Sequence, residues 1–522
     1  MLSSLLGIIH VEALYPLWVH FACNILHAAN SFVIIEFFLS LRYTTFILFK
    51  LTLSRFLARS LPFWYNENRV LSLLRGFSQG FTEVFMEGTR NKIIKKGERH
   101  MNQISEVTEQ IVDRKLSAVA KRTKASIIRE MLKSTSIPGL ISFGGGVPDP
   151  ETFPREHLAE IAKEIVEQEY KTTLQYGTTE GDKQLKQQYI QYLRKYEGIE
   201  GLEEDHMVIT SGSQQALDLI GRTFLDTQSI CAICDPVYLG AASAFMIHAP
   251  KFIKLTMQDD GPDVDILERS LQKMTEDEKE QFKFFYLVSN FDNPTGICLS
   301  LEKRIRILEI AAAHKILIVE DDPYGLLRFE GEKIPSIYKL AVERGLQDYV
   351  LLLNTFSKIL SPGLRMGIVV GNQKIVRKLV LGKQVADLCT SPLLQRMTAR
   401  YLERHDPIVH LQNALKVYAK KRDTMMASFK EDFGNIEGVH WTYPQGGLFS
   451  WMCFPDWVDT MEMLEFAKKN LLIYIPGEAF SVGDSNKNCM RLSFCLPSEE
   501  QIREGSKRLL KAFQQYAFMK GR

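Results

Sequence analysis

The sequence predicts an α/β protein: a large domain on a mostly parallel sheet, followed by a smaller α+β domain. Three observations predict it. Beyond residue 200, short β-rich apolar runs recur: MVIT (207–210), SICAIC (229–234), FIKLT (252–256), FFYLVS (284–289), ILIVED (316–321), YVLLLN (349–354) and MGIVVG (366–371). Helical patterns separate these runs, as expected where both faces of a parallel sheet are covered. From about residue 395, long charged helical stretches lead to the short strands GGLFSWMCF (446–454) and MRLSFC (490–495).

In chain order, residues 1–100 stand apart. They contain no aspartate and are dense in Phe, Leu and Ile, and residues 13–35 carry no formal charge. That stretch is long enough to cross a bilayer, but Pro16, Asn24, His27, Asn30 and Ser31 weaken it as a span. A membrane anchor, a processed leader and upstream sequence joined to the gene are three readings. The third is the expectation. KKGERHM (95–101) ends in Met101, and Gly97-Glu98 can be encoded by a purine-rich string like a bacterial ribosome-binding site. Mass spectrometry of the native protein finding peptides from residues 1–90 would end that reading. Residues 101–172 are expected to form an N-terminal arm and part of the small domain, with 103–134 a charged amphipathic helix. Residues 173–394 are the expected large domain and 395–522 the small one.

Composition narrows the function. A chain of 522 residues that is 45% hydrophobic can bury a large core. The net charge of +2 gives no case for nucleic acid. Eight scattered cysteines argue against a disulfide framework and for a reducing, cytoplasmic setting. CAIC, with Cys231 and Cys234, has metal or redox spacing but lies in an apolar run without a second pair, so buried free thiols are expected.

Several polar motifs fall at strand ends, where parallel sheets gather functional groups. ITSGSQQALDL (209–219) is strand, glycine, then Ser213 opening a helix; it reads as a phosphate site at a helix N-terminus or as a plain serine cap. DPVY (235–238) places Tyr238 to stack on a ring or simply to pack. SNFDNPTG (289–296) is a turn-rich loop. VEDDPYG (319–325) sets two carboxylates, Asp321 and Asp322, at a strand end before Pro and Tyr, as a solvated turn, a metal site without a nearby histidine, or one buried acid keeping a ring nitrogen protonated. NTFSKILSPGLRMG (354–367) sets Lys358 beside hydroxyls with Arg365 seven positions on. A lysine so placed is suited to a lowered pKa and Schiff-base chemistry. Together the groups suit a phosphorylated aldehyde with a basic ring nitrogen, pyridoxal 5'-phosphate.

The chain from about residue 125 resembles fold-type-I pyridoxal-phosphate aminotransferases of class I/II, nearest the 2-aminoadipate and kynurenine aminotransferase subgroup. LQYGTTEG, SGSQQAL, DPVY, NPTG, EDDPY, SKxxxPGxRxG and MRLSF carry the resemblance in order. It implies an enzyme that moves an amino group from an α-amino acid of 2-aminoadipate, aromatic or branched-chain type to a 2-oxo acid, with 2-oxoglutarate expected, by a ping-pong cycle. It implies that Lys358 bonds the cofactor aldehyde and then shifts the proton, that Asp321 faces the ring nitrogen, and that Asn293 and Tyr324 bond the phenolic oxygen. Ser213, Gln214, Ser357 and Arg365 would hold the phosphate, and Tyr238 would stack on the ring. Tyr176 would reach the phosphate of a neighbouring subunit, implying a homodimer with shared sites. Arg491 would grip the substrate α-carboxylate. Gly145 and Gly146 would line the pocket, and Arg129 would meet a distal acidic group or merely cap a solvated helix. Two departures are Thr355 where serine is frequent and Gly144 where alanine is frequent. The rivals are a pyridoxal-phosphate lyase on the same scaffold and a cofactor-sensing regulator, which would need a DNA-reading winged helix that residues 1–100 do not offer. A real leader would make the enzyme membrane-tethered.

Overall fold

The computed structural model describes residues 111–112, 114–123 and 137–522. The readings of residues 1–100, of Arg129 and of most of the 103–134 helix lie outside the described residues; where it is described, helix at 111–112 and 114–115 breaks at 116–117, and Ala118–Arg122 is a separate short helix capped by Ser117. Fourteen strands are described: β1 (Ile141–Ser142), β2 (Met207–Thr210), β3 (Ile230–Asp235), β4 (Lys251–Gln258), β5 (Gly261–Pro262), β6 (Phe282–Val288), β7 (Leu317–Asp322), β8 (Val350–Thr355), β9 (Gly367–Val370), β10 (His440–Trp441), β11 (Phe449–Cys453), β12 (Leu472–Ile473), β13 (Ile475–Pro476) and β14 (Cys489–Ser493).

The main sheet has the order β2-β9-β8-β7-β6-β3-β4-β5. Its centre is parallel, β8 to β7 to β6 to β3 to β4, whereas β9 runs antiparallel to both β2 and β8. The mostly parallel sheet read from the sequence is therefore present, and each of the seven predicted runs is a strand to within two residues. The runs are apolar throughout because both faces are covered: every residue of β2 and β9 is buried, and so are all but Lys283 in β6. Helices Ser213–Phe224 and Leu301–His314 bury apolar stripes such as Leu217, Leu219 and Ile220, and Ile307, Leu308 and Ile310. Near the edge, β4 is mostly exposed or half-buried.

A second sheet, β10-β11-β14-β13, is antiparallel. Helices Pro407–Phe433 and Glu499–Met519 belong to the same region, and the second opens on a capping box of Ser498 and Gln501. The parallel pair β1–β12 brings the glycine run after Ser142 to this sheet. Phe143 N–H donates to Ile473 O at 2.8 Å, and Ser493 N–H donates to Phe143 O at 2.7 Å. Lys115–Arg522 forms one compact unit.

One thiol expectation is corrected. The register of β11 on β14 sets Cys453 opposite Cys489, and the two are disulfide-bonded; strand pairing over 36 residues of separation is not visible in cysteine spacing. Cys231 and Cys234 are buried and free, as expected, with burial pushing the Cys231 thiol up to about 12. Among the described residues, no helix is long and apolar enough to cross a membrane.

Candidate active site

Four parallel strands end at one edge of the sheet with polar residues: β2 at Thr210, β3 at Asp235, β7 at Asp321 and Asp322, β8 at Thr355. Because β9 runs the other way, it starts at that edge, with Gly367 paired to both Thr210 and Thr355. Lys358 follows β8 by three residues, and its Nζ donates to Gly146 O at 2.8 Å. Burial chiefly, with Arg491 and Arg365 adding repulsion, lowers its pKa to about 8. A lysine so placed is in part an uncharged amine near neutrality.

Asp321 is 2% exposed, and Tyr286 Oη donates to its Oδ2 at 3.0 Å. Its Oδ1 is buried without a hydrogen-bond partner. Burial raises its pKa to about 7 against the hydrogen bond from Tyr286. Its neighbours are spoken for. Glu320 accepts the N–H groups of Ile337 and Tyr338, each at 2.9 Å, while Asp322 accepts Gly325 N–H at 2.9 Å and closes the turn.

The helix Ser213–Phe224 opens after Gly212 with no side-chain cap, leaving its first N–H groups facing out. Gly212 has φ +81°, and a Cβ there would fall 2.6 Å from Arg365 Nη2. A Cβ on Gly367 would fall 2.9 Å from Ser213 N. Both glycines therefore let a helix N-terminus and a guanidinium come close together, the two sides of a candidate anion cup. Arg365 Nη2 donates to Ser211 O at 3.2 Å, and the hydroxyls of Thr355, at the end of β8, and Ser357, just after it, lie 2.9 Å apart. Gln214 Nε2 donates to Gly240 O at 2.9 Å, and a Cβ on Gly240 would meet the Tyr238 ring, so Gln214 and Tyr238 lie together.

Arg491, on β14, is 2% exposed. It donates to Asn293 Oδ1 at 2.9 Å and to Gly144 O at 2.8 Å, and its Nε is buried without a partner. Its guanidinium lies over Phe449 at 4.3 Å and Phe480 at 5.0 Å. Burial lowers its pKa to about 10, so it remains a cation at neutral pH. A buried cation whose protein partners are neutral oxygens is suited to an incoming carboxylate. Tyr324, buried, stands edge-on to Phe449 at 6.0 Å. Gly146 faces Phe449 as well as Arg491.

The structure thus groups Lys358 with Gly146, Arg491 with Asn293, Gly144 and Phe449, and Ser213 with Arg365. It does not bring in Tyr176, which is 79% exposed. Sequence reasoning missed Tyr286, whose hydroxyl within the apolar run FFYLV was the available signal. It also missed Asp292, buried under the Asn293 turn and accepting Thr295 Oγ1 at 2.7 Å. The residues fit pyridoxal 5'-phosphate: an unpartnered buried carboxylate oxygen for a ring nitrogen, a glycine-lined cup beside an arginine for a phosphate, and a lysine with a lowered pKa for an aldehyde.

Comparison with known proteins agrees. The family model described as aminotransferase class I and II matches residues 139–509. Aromatic-amino-acid aminotransferase 1 of Thermococcus litoralis is 41% identical over 392 residues, 75% of this chain and 92% of that protein. The structure of Pyrococcus horikoshii kynurenine aminotransferase, in complex with PMP, has a TM-score of 0.73 at 40% identity and covers 78% of this chain and 98% of its own. That of the alpha-aminoadipate aminotransferase LysN of Thermus thermophilus, complexed with N-(5'-phosphopyridoxyl)-L-leucine, has a TM-score of 0.71 at 34% identity, covering 78% and 99%.

Proposed function

Because this chain belongs to the class I and II aminotransferase family and is a pyridoxal-phosphate enzyme that transfers amino groups, we propose which residues carry that transfer and which donors it takes. The cofactor supplies an aldehyde to receive the amino group and an electron-poor ring to take up charge from the donor's α-carbon. Lys358 would hold the aldehyde and, as an amine beside Gly146, would carry the donor's α-proton. Asp321, whose Oδ1 is buried without a partner, would hold a proton on the ring nitrogen, since opposite charges at close range favour both ionised forms. Ser213, Gln214, Ser357 and Arg365 would hold the phosphate, Tyr238 would orient the ring, and Asn293 and Tyr324 would hold its phenolic oxygen. Arg491 binds the α-carboxylate of donor and acceptor alike.

The acceptor, 2-oxoglutarate, rests on the family resemblance alone; the donor is an aromatic or branched-chain amino acid. One observation carries this: the glycine run faces apolar groups. A Cβ on Gly145 would lie 3.0 Å from Leu496, one on Gly146 3.2 Å from Phe449, and one on Gly144 3.1 Å from Ile475. Of these, Phe449 also lies against Arg491, and so would bring apolar surface to the carboxylate site and reward it on the donor. The 2-aminoadipate reading rests instead on Arg129. A donor screen against 2-oxoglutarate with phenylalanine, kynurenine, leucine and 2-aminoadipate tests the proposal. Higher kcat/KM for the first three is expected; activity confined to 2-aminoadipate would overturn it.

A further inference from the structure

Lys383 lies on helix Gln373–Ala386 with a side chain at 0% exposure, and amino transfer gives it no task. A buried ammonium is costly unless its protons are taken up. Here they are. Lys383 Nζ donates to Asp387 Oδ1 at 2.6 Å, to Asp387 Oδ2 at 2.7 Å and to Gln215 Oε1 at 3.3 Å. A lysine has three N–H donors, so none is left for an incoming anion, and Asp387 balances the charge.

The network runs on to the phosphate cup. Gln215 Nε2 donates to Asp387 Oδ2 at 2.7 Å, which fixes the side-chain amide, and its Oε1 accepts Ser211 N–H at 2.7 Å. The Ser211 hydroxyl lies 3.5 Å from Asp387 Oδ2 and 3.4 Å from Thr390 Oγ1, and the Ser211 carbonyl accepts from Arg365. Ser211 is therefore held at its N–H, its hydroxyl and its C=O. The next residue is Gly212, in the left-handed region, and after it come the free N–H groups of Ser213 and Gln214.

We propose that Lys383, Asp387 and Gln215 form a clasp that positions the phosphate cup from behind, fixing the Ser211–Gly212 peptide so that the amides of Ser213 and Gln214 meet the same phosphate as Arg365. The inference rests on the reading of that cup as the phosphate site. The clasp acts through geometry, because its own charges cancel and its donors are spent. Its effect is specific to the phosphate, which gives a measurement that a merely structural role would not move.

Pyridoxal 5'-phosphate and pyridoxal, which lacks the phosphate, are each titrated into cofactor-free protein and followed by absorbance. Lys383→Met removes the ammonium, and Gln215→Leu removes the clasp while leaving the Lys383–Asp387 pair intact. Each variant should weaken pyridoxal 5'-phosphate roughly tenfold or more, the loss expected when a charge-assisted hydrogen bond goes. Pyridoxal affinity should change much less. Equal weakening of both ligands, or no weakening of either, overturns the clasp; should Lys383→Met fail to fold, Gln215→Leu decides. A wild-type protein that binds neither ligand would instead break the underlying reading of the site.

Discussion

At the scale of single residues, Glu320, Asp321 and Asp322 show how three adjacent acids acquire three tasks. Alternation along β7 turns Glu320 to the N-terminus of helix Ile337–Glu343 and Asp321 to the opposite face, while Asp322 closes a turn. Asp321 alone keeps an unpartnered buried oxygen, and its pKa is raised to about 7 by burial. A carboxyl that holds its proton more tightly in the folded chain costs stability as pH rises from the ordinary carboxylate range through about 7. In cofactor-free protein, Asp321→Asn should therefore melt higher than wild type at pH 8, with the advantage shrinking as pH falls. Turnover should drop by about 10³-fold, because the ring nitrogen loses its counter-charge. Melting curves at pH 4.5 and pH 8 check the first part, and an advantage that grows toward low pH would contradict it.

Elements explain which parts of the site could be read from sequence. Lys358, Asp321 and Ser213 drew attention in the sequence because each stands at or just past the end of an apolar run, whereas Asn293 was singled out by the family resemblance. Their partners were not. Lys358 meets Gly146 across 212 positions and Arg491 meets Asn293 across 198, so the sequence names the groups but not the contacts. The large sheet was legible because a doubly covered strand writes itself as an unbroken apolar run. The β1–β12 pair was not, since two residues make no period, yet it delivers the glycine run to Arg491. Lys383 escaped for another reason. On a helix with many lysines, nothing in the local pattern separates a buried ammonium from a solvated one.

For the whole molecule, one predicted residue has no place within the chain. Tyr176 is 79% exposed, and Val385 on the helix that carries Lys383 is 89% exposed. The family resemblance implies a homodimer in which Tyr176 serves the partner, and we propose that assembly. If so, Tyr176→Ala and Lys358→Ala proteins, each inactive alone, should regain activity when unfolded together and reassembled. In the mixed dimer, the Tyr176→Ala protomer keeps its lysine and receives an intact Tyr176. Continued inactivity of the mixture, with mixed dimers shown to be present, would contradict shared sites. The most direct measurement of the central claim is the absorbance of purified protein with excess pyridoxal 5'-phosphate, wild type against Lys358→Ala, before and after borohydride reduction. The account predicts a reducible covalent adduct and peptide mass labelling at Lys358 in wild type, and neither in the variant. An adduct retained by Lys358→Ala, or a wild-type label on another lysine, would contradict it.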